Sequence, residues 1–156
     1  MFSYYLAKII YLKSNESDLL KILPYVHNDE ITQIKVCQTI AIYLENLCLD
    51  EMNTFINTII LQCILSWIQY DKLDLKWHCV NLLIKLSKYM NIDEILKIQL
   101  IRLIDTDNFY IKNLIQNSIK DMSMDDDLYN YIKNKCSYDH HFVVRKVNFE
   151  LFDNKK

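Results

Sequence analysis

The sequence contains no glycine, and its only proline is Pro24. Two-residue hairpin turns need a positive φ, so the absence of glycine argues against an antiparallel sheet. Phosphate loops, nucleophile elbows and dinucleotide-binding turns are also glycine-rich, and in their usual forms they are excluded. The chain is therefore expected to be helical and to lack these common enzyme sites.

A strong charge of either sign is also missing. The chain carries 18 Lys and Arg against 20 Asp and Glu, a formal net charge of −2, and Arg102 and Arg145 are its only arginines. A near-neutral chain creates no long-range field that would attract nucleic acid or an anionic membrane. We therefore expect neither of them as the principal partner.

No apolar run is long enough to span a bilayer. The most apolar stretch, Phe55–Ile68, is interrupted by polar residues and falls short of the ~20 residues that a span needs. Residues 1–17 lack a basic leader and a small-residue cleavage site, which indicates an amphipathic helix rather than a signal peptide. The five cysteines are odd in number, which favours free thiols in a reducing cytosol over a disulfide framework. These features predict a cytoplasmic protein.

The chain does have clear helical periodicity. Steps of three and four residues between apolar positions place those residues on one side of a helix. In the stretch Tyr70–Tyr89 the apolar positions are Leu75, Cys79, Leu82, Leu86 and Tyr89. Similar stripes predict helices at about residues 2–12, 18–26, 31–47, 51–69, 91–104, 109–122, 128–135 and 142–153. The length of 156 residues fits one domain with its own core.

Four of these helices begin with the same arrangement of an acidic residue, a short gap, an apolar residue and a cation. The four elements are Asp29…Ile34-Lys35, Asp71…Leu75-Lys76, Asp107…Ile111-Lys112 and Asp139…Val144-Arg145. Successive cations lie 41, 36 and 33 residues apart, which is the range of two-helix solenoid repeats. The pattern indicates an array of helix pairs.

The four elements resemble those of the HEAT and HEAT-like repeat family, over about residues 18–153. The resemblance implies a single all-α domain, residues 1–156, folded as a right-handed α-α superhelix. It has an N-terminal capping helix and about four helix pairs: residues 1–13 for the cap and 17–48, 51–89, 93–122 and 125–153 for the pairs. In that family the acid and the cation stabilise the turn within a pair and link successive pairs. This chain departs from the family in having Lys for the usual Arg at three of the four positions, and the usual small residue survives clearly only at Ala41.

A binding surface is predicted on the second helix of each pair, opposite its apolar stripe. Its residues are Lys35, Thr39, Tyr43, Trp77, Asn81, Lys88, Asn113, Lys120, Lys146 and Phe149, with Asn46, Ile84 and Gln116 on the same side. Exposed aromatic residues among amides and cations are typical of binding hot spots. The alternative is that Trp77 and Phe149 pack between adjacent pairs, because periodicity alone does not separate lateral packing from exposure.

One short segment contains side chains that could bind zinc, namely Cys136, Asp139, His140 and His141. No CxxC, HxxxH or HExxH motif accompanies them, so an ordinary turn between helices is the favoured interpretation. The acidic run 125–127 is interpreted as a helix cap rather than a cation site. We predict no metal, no cofactor and no catalytic residue.

The sequence thus favours a non-enzymatic protein-binding module that uses the curved face of a small HEAT-like solenoid, with another protein as partner. One alternative is an immunity or inhibitor protein that neutralises a toxin, because a small rigid array is enough to cover an active site. The other is a nucleic-acid-binding protein of the HEAT-like DNA-glycosylase type, which the near-neutral charge disfavours. The oligomeric state is left open.

Overall fold

The computed structural model of the chain describes residues 29–46, 54–106, 108–122 and 125–153. Within these ranges every regular element is helical and there is no strand. The prediction of an all-α protein is therefore confirmed for this part of the chain. The capping helix predicted at residues 2–12 and the short helix at 18–26 lie outside the described residues.

The described ranges contain seven α-helices. They are α1 (Glu30–Asn46), α2 (Thr54–Trp67), α3 (Leu73–Leu86), α4 (Asp93–Thr106), α5 (Phe109–Ser118), α6 (Asp126–Ser137) and α7 (Phe142–Asn148). The helix predicted at 109–122 ends as an α-helix at Ser118 and continues as a 3₁₀ turn, Ile119–Asp121. The helix predicted at 142–153 becomes a π-helical turn at Phe149–Asp153.

Side chains cap the start of α5 and of α6, where the first backbone N–H groups have no partner within the helix. Asn108 accepts a hydrogen bond from the backbone N–H of Tyr110 at 3.0 Å, before α5. The carboxylate of Asp125 accepts one from the N–H of Leu128 at 2.7 Å, before α6. The interpretation of Asp125 as a helix cap is therefore confirmed.

Contacts divide the chain into two compact units, Met1–Met90 and Asn91–Lys156. The boundary falls between the predicted helix pairs 51–89 and 93–122. The right-handed superhelix of the whole chain stays a prediction.

In the first unit, α3 packs against both α1 and α2. The Nζ of Lys72, just before α3, lies 3.2 Å from the carboxylate of Glu30 at the start of α1. Beyond the other end of α3, the hydroxyl of Tyr89 donates a hydrogen bond to the backbone carbonyl of Leu44 near the end of α1. The starts of α1 and α3 therefore lie together, as do their ends, so the two helices run parallel.

The core of the first unit is apolar and contains several thiols. Ile64, on α2, is completely buried, as are Leu75 and Leu83 on α3. Cys37, Cys63 and Cys79 are buried free thiols in this unit, and Cys136 is one in the second unit. The prediction of free thiols is confirmed for these four, while Cys48 lies outside the described residues.

In the second unit, α4 packs against α5 and α6, and α7 packs against both α5 and α6. Lys97 near the start of α4 forms an ion pair with Asp125 before α6, at 2.8 Å. Asp105 near the end of α4 pairs with Lys135 near the end of α6, at 3.2 Å. The two helices predicted as first members of their pairs therefore also run parallel.

Candidate functional site

The predicted binding surface of the first unit is only partly exposed. Lys35 and Lys88 are exposed, whereas Trp77 and Asn81 are half-buried. The side chains of Thr39 and Tyr43, like that of Asn46, lie outside the description. The side chain of Trp77 is therefore partly covered by protein and does not lie on a fully exposed surface.

The ring of Trp77 meets the ring of His78 edge to face, with centroids 5.0 Å apart. The Nε2 of His78 is in turn 3.4 Å from Nε2 of Gln38, which joins α3 to α1. Burial lowers the pKa of His78, although the nearby carboxylate of Asp74 acts in the opposite direction. The contact between α1 and α3 thus extends close to Trp77.

Two residues expected on the same side as the predicted surface are buried, and the expectation was wrong for them. Ile84 is buried because α3 packs against two helices, which widens its apolar side beyond one stripe. Gln116 is buried because α5 packs against α7, and its Nε2 donates a hydrogen bond, at 3.0 Å, to the backbone carbonyl of Val144 in α7. Its predicted neighbour Asn113 is half-buried, and Lys120 is exposed.

The clearest exposed surface of the second unit lies on α7 and the π-helical turn that follows it. Here we define the α7 stripe as Phe142, Arg145, Lys146 and Phe149, all of which are exposed. Spacings of three and four residues place them along one side of the helix. The stripe contains Lys146 and Phe149 from the predicted surface and adds two residues that the sequence reasoning missed.

An ion pair holds α7 in position from the side of α5. The Nζ of Lys112 lies 2.5 Å from the carboxylate of Asp139, and both side chains are largely buried. Burial acts to raise the pKa of Asp139, but hydrogen bonds from Lys112 and from the backbone N–H of His141 outweigh it, so the pKa lies below its ordinary value. The cation of one predicted helix pair thus binds the acid of the next.

Stacked rings form a second contact between α5 and the start of α7. The ring of His141 lies parallel to that of Phe109, with centroids 4.0 Å apart and an angle of 8°. Tyr110 stacks on the same Phe109 at 4.2 Å. The Nδ1 of His141 accepts a hydrogen bond from the backbone N–H of Val143 at 3.2 Å, so the imidazole also caps α7.

A third set of contacts holds the loop before α7. The Nη1 of Arg145 donates to the carbonyls of Asp139 at 2.6 Å and His140 at 2.9 Å. On the opposite side, the buried Asn148 donates through Nδ2 to the carbonyl of Lys133 and to the hydroxyl of Ser137, which ties α7 to α6. The α7 stripe therefore lies on a firmly supported helix.

Beside this loop, near the ends of α4 and α6, is a groove of about 520 Å³ lined mostly by charged and polar residues. Its carboxylate at Asp105 accepts a hydrogen bond from the hydroxyl of Tyr131 at 2.6 Å and is paired with Lys135. These donors, Tyr131 foremost, lower the pKa of Asp105. The groove thus contains opposite charges that are already matched within the protein.

The side chains considered for zinc have other roles in the structure. Cys136 is buried in the core, and burial raises the pKa of its thiol to about 11. Asp139 is paired with Lys112, and His141 caps α7. Among the described residues no group of three or more His, Cys, Asp or Glu side chains is arranged to hold a metal ion.

Within the described ranges, none of the helices combines the length and the hydrophobicity needed to cross a bilayer. No protein-family model, curated protein or solved structure matches this chain.

Proposed function

We propose that this protein is a non-enzymatic protein-binding module built from HEAT-like helix pairs. The parallel packing of α1 with α3, and of α4 with α6, supports the helix-pair part of the proposal. In such an array each pair contacts its neighbours and leaves an extended surface for a partner.

The observation that carries the binding function is the α7 stripe. Phe142 is 66% exposed and Phe149 is 58% exposed, and the two cations Arg145 and Lys146 lie between them. Aromatic residues and Arg are enriched in the energetically important parts of protein interfaces. Large apolar rings on a supported helix also lose little conformational entropy when a partner covers them.

A protein partner accounts for the charges better than a nucleic acid does. Lysines at six described positions already lie within 4.0 Å of a carboxylate oxygen, namely Lys72, Lys97, Lys112, Lys133, Lys135 and Lys146. Binding to phosphates depends on clustered cations that can release counterions, and a carboxylate beside each ammonium opposes this.

The test is capture of a partner followed by reconstitution with purified components. The full chain serves as bait in an extract of its own organism, and a captured protein is then purified and titrated against it by calorimetry. The variant with Phe142→Ser and Phe149→Ser is expected to bind at least about 30-fold more weakly, as loss of interface anchors implies. A variant with Ile98→Ser, which changes an exposed apolar residue on α4, is the matched control.

Equal affinity of the purified partner for the wild-type chain and the double variant would contradict this surface. Tight binding of a short labelled DNA duplex at physiological salt, with no protein partner, would contradict the proposed function as a whole.

A further inference from the structure

Three side chains of α5 hold the start of α7 and the residues just before it, and each makes a different kind of contact. Phe109 stacks on His141 at 4.0 Å, Lys112 pairs with Asp139 at 2.5 Å, and Gln116 donates to the carbonyl of Val144 at 3.0 Å. These contacts show how this protein holds the start of α7 against α5.

The same three positions recur on α7. The cations Lys112 and Arg145 are 33 residues apart, and the same step leads from Phe109 to Phe142 and from Gln116 to Phe149. Phe142, Arg145 and Phe149 are all exposed. These positions of α7 are therefore open, whereas the equivalent positions of α5 are filled by contacts with residues 139–144.

We propose that the α7 stripe binds a helix of a partner protein in which a carboxylate lies just before the helix and an aromatic or imidazole ring follows it, two residues later, at the N-cap. The inference rests on the proposed protein-binding function and names the class of partner. The model for this partner is the segment that α5 binds, in which Asp139 precedes His141 by two residues.

Charge complementarity favours a partner helix that has a carboxylate near its start. The guanidinium of Arg145 uses Nη1 to bind two loop carbonyls, which fixes its orientation. A guanidinium has five N–H donors, so others are left for a carboxylate, and Arg–carboxylate pairs can be bidentate. Lys146 lies beside Arg145, but its charge is partly offset by the carboxylate of Glu150, 4.0 Å away, so Arg145 is the principal cation of the stripe.

The two phenylalanines select an apolar or aromatic ring beside that carboxylate. Phe142 and Phe149 are seven residues apart, so they lie on the same side of the chain, with Arg145 between them. A ring that stacks on Phe142, as His141 stacks on Phe109, would be placed next to the cation. The partner helix would then be held by one ion pair and two apolar contacts.

The probe is a synthetic, hydrocarbon-stapled peptide of residues 138–149 of this chain, because this is the segment that α5 recognises. The peptide carries Phe142→Ala and Phe149→Ala so that it cannot bind further copies of itself. Its binding to the full chain is followed by fluorescence anisotropy, and saturable one-to-one binding is expected. The control peptide carries Asp139→Asn in addition, which removes the charge and keeps the shape.

Variants of the full chain identify the site. Arg145→Glu is expected to weaken peptide binding by at least about tenfold, and a peptide with Asp139→Lys is expected to recover much of that loss by restoring opposite charges. Phe149→Ala is expected to weaken binding by a similar factor. Arg102→Glu and Ile98→Ala, at exposed positions of α4, are the matched controls.

Three outcomes would overturn the inference: no peptide binding at millimolar concentration, binding that Arg145→Glu and Phe149→Ala leave unchanged, or equal binding of the control peptide. Self-association of the chain that Phe149→Ala abolishes and the peptide does not compete would also overturn it, by assigning the stripe to a second copy. If the Arg145→Glu variant does not fold, the effect of Phe149→Ala on peptide binding tests the site instead. Failure of the peptide together with success of the capture experiment would reject this partner class and leave the proposed function standing.

Discussion

Lys112 and Asp139 are 27 residues apart in the sequence, yet the ammonium of one lies 2.5 Å from the carboxylate of the other. The pair joins α5 to the loop that starts α7, and both side chains are largely enclosed by protein. A link of this kind between successive helix pairs is what the proposed HEAT-like array predicts. Removing one partner would leave a charge partly buried without its counterion.

We therefore expect Lys112→Met and Asp139→Asn each to lower the free energy of unfolding by about 2 kcal/mol, the scale for a hydrogen bond to a charged group. A double-mutant cycle measured by urea unfolding would give the interaction energy of the pair, expected to be above about 1 kcal/mol.

The matched comparison is a cycle on Lys146 and Glu150, which lie 4.0 Å apart and are both exposed. Surface pairs of this kind contribute about 0.5 kcal/mol or less, because water screens them. Interaction energies of the same size for both pairs would show that the burial of Lys112 and Asp139 adds nothing.

Acid is expected to weaken the second unit through Asp139. Its pKa is lowered in the folded protein, so the carboxylate contributes stability at pH values above its ordinary pKa of 3.8, and this contribution is lost as the pH falls through the lower folded value. Urea unfolding between pH 7 and pH 2.5 should show this loss below about pH 4. Asp139→Asn should reduce the dependence on pH, and Asp125→Asn, which removes a second carboxylate of lowered pKa at the pair with Lys97, should reduce it as well. An unchanged slope in Asp139→Asn would contradict the assignment.

The sequence predicted the helices well because their apolar positions follow a three-to-four-residue step. It did not predict that Ile84 and Gln116 are buried, since periodicity identifies one stripe and not a second neighbour. The ion-pair partner of Asp139 was not predicted either, because Arg145 is the cation of the repeated acid and cation element that contains Asp139. In the structure Arg145 donates to backbone carbonyls of the loop before α7, and the carboxylate of Asp139 pairs with Lys112. The 33-residue step from Lys112 to Arg145 also leads from Phe109 to Phe142, and this recurrence is the signal in the sequence for the α7 stripe.

The buried thiols are expected to resist alkylation in the native protein. Burial raises the pKa of Cys63 and of Cys136 to about 11, and a hydrogen bond with Cys37, together with burial, raises that of Cys79. The thiolate is the reactive form, so little of it is present at pH 8. Mass spectrometry after a short iodoacetamide pulse should find Cys63, Cys79 and Cys136 unmodified, and all three modified after unfolding in urea. Rapid labelling of Cys79 in the folded state would contradict the contact between α1 and α3.

The packing of α2 is tested at Ile64, which is completely buried. Ile64→Ala is expected to cost ~2–5 kcal/mol, the usual range for removing a large core side chain. Ile98→Ala removes the same atoms at a position that is 62% exposed and should change stability by less than about 0.5 kcal/mol. A cost below about 1 kcal/mol for Ile64→Ala would place the core elsewhere.

The last prediction asks whether the half-buried Trp77 belongs to the binding surface. Trp77→Ala is expected to lower the free energy of unfolding by less than about 1.5 kcal/mol, well below the loss for a fully buried tryptophan. It should weaken binding of the captured partner by about 2 kcal/mol or more, as interface anchors do. Trp67, which is 2% exposed, is the matched control, and Trp67→Ala should cost about 3–5 kcal/mol of stability. If Trp77→Ala behaves like Trp67→Ala and leaves binding intact, Trp77 serves the contact between α1 and α3, and the binding surface is confined to the α7 stripe.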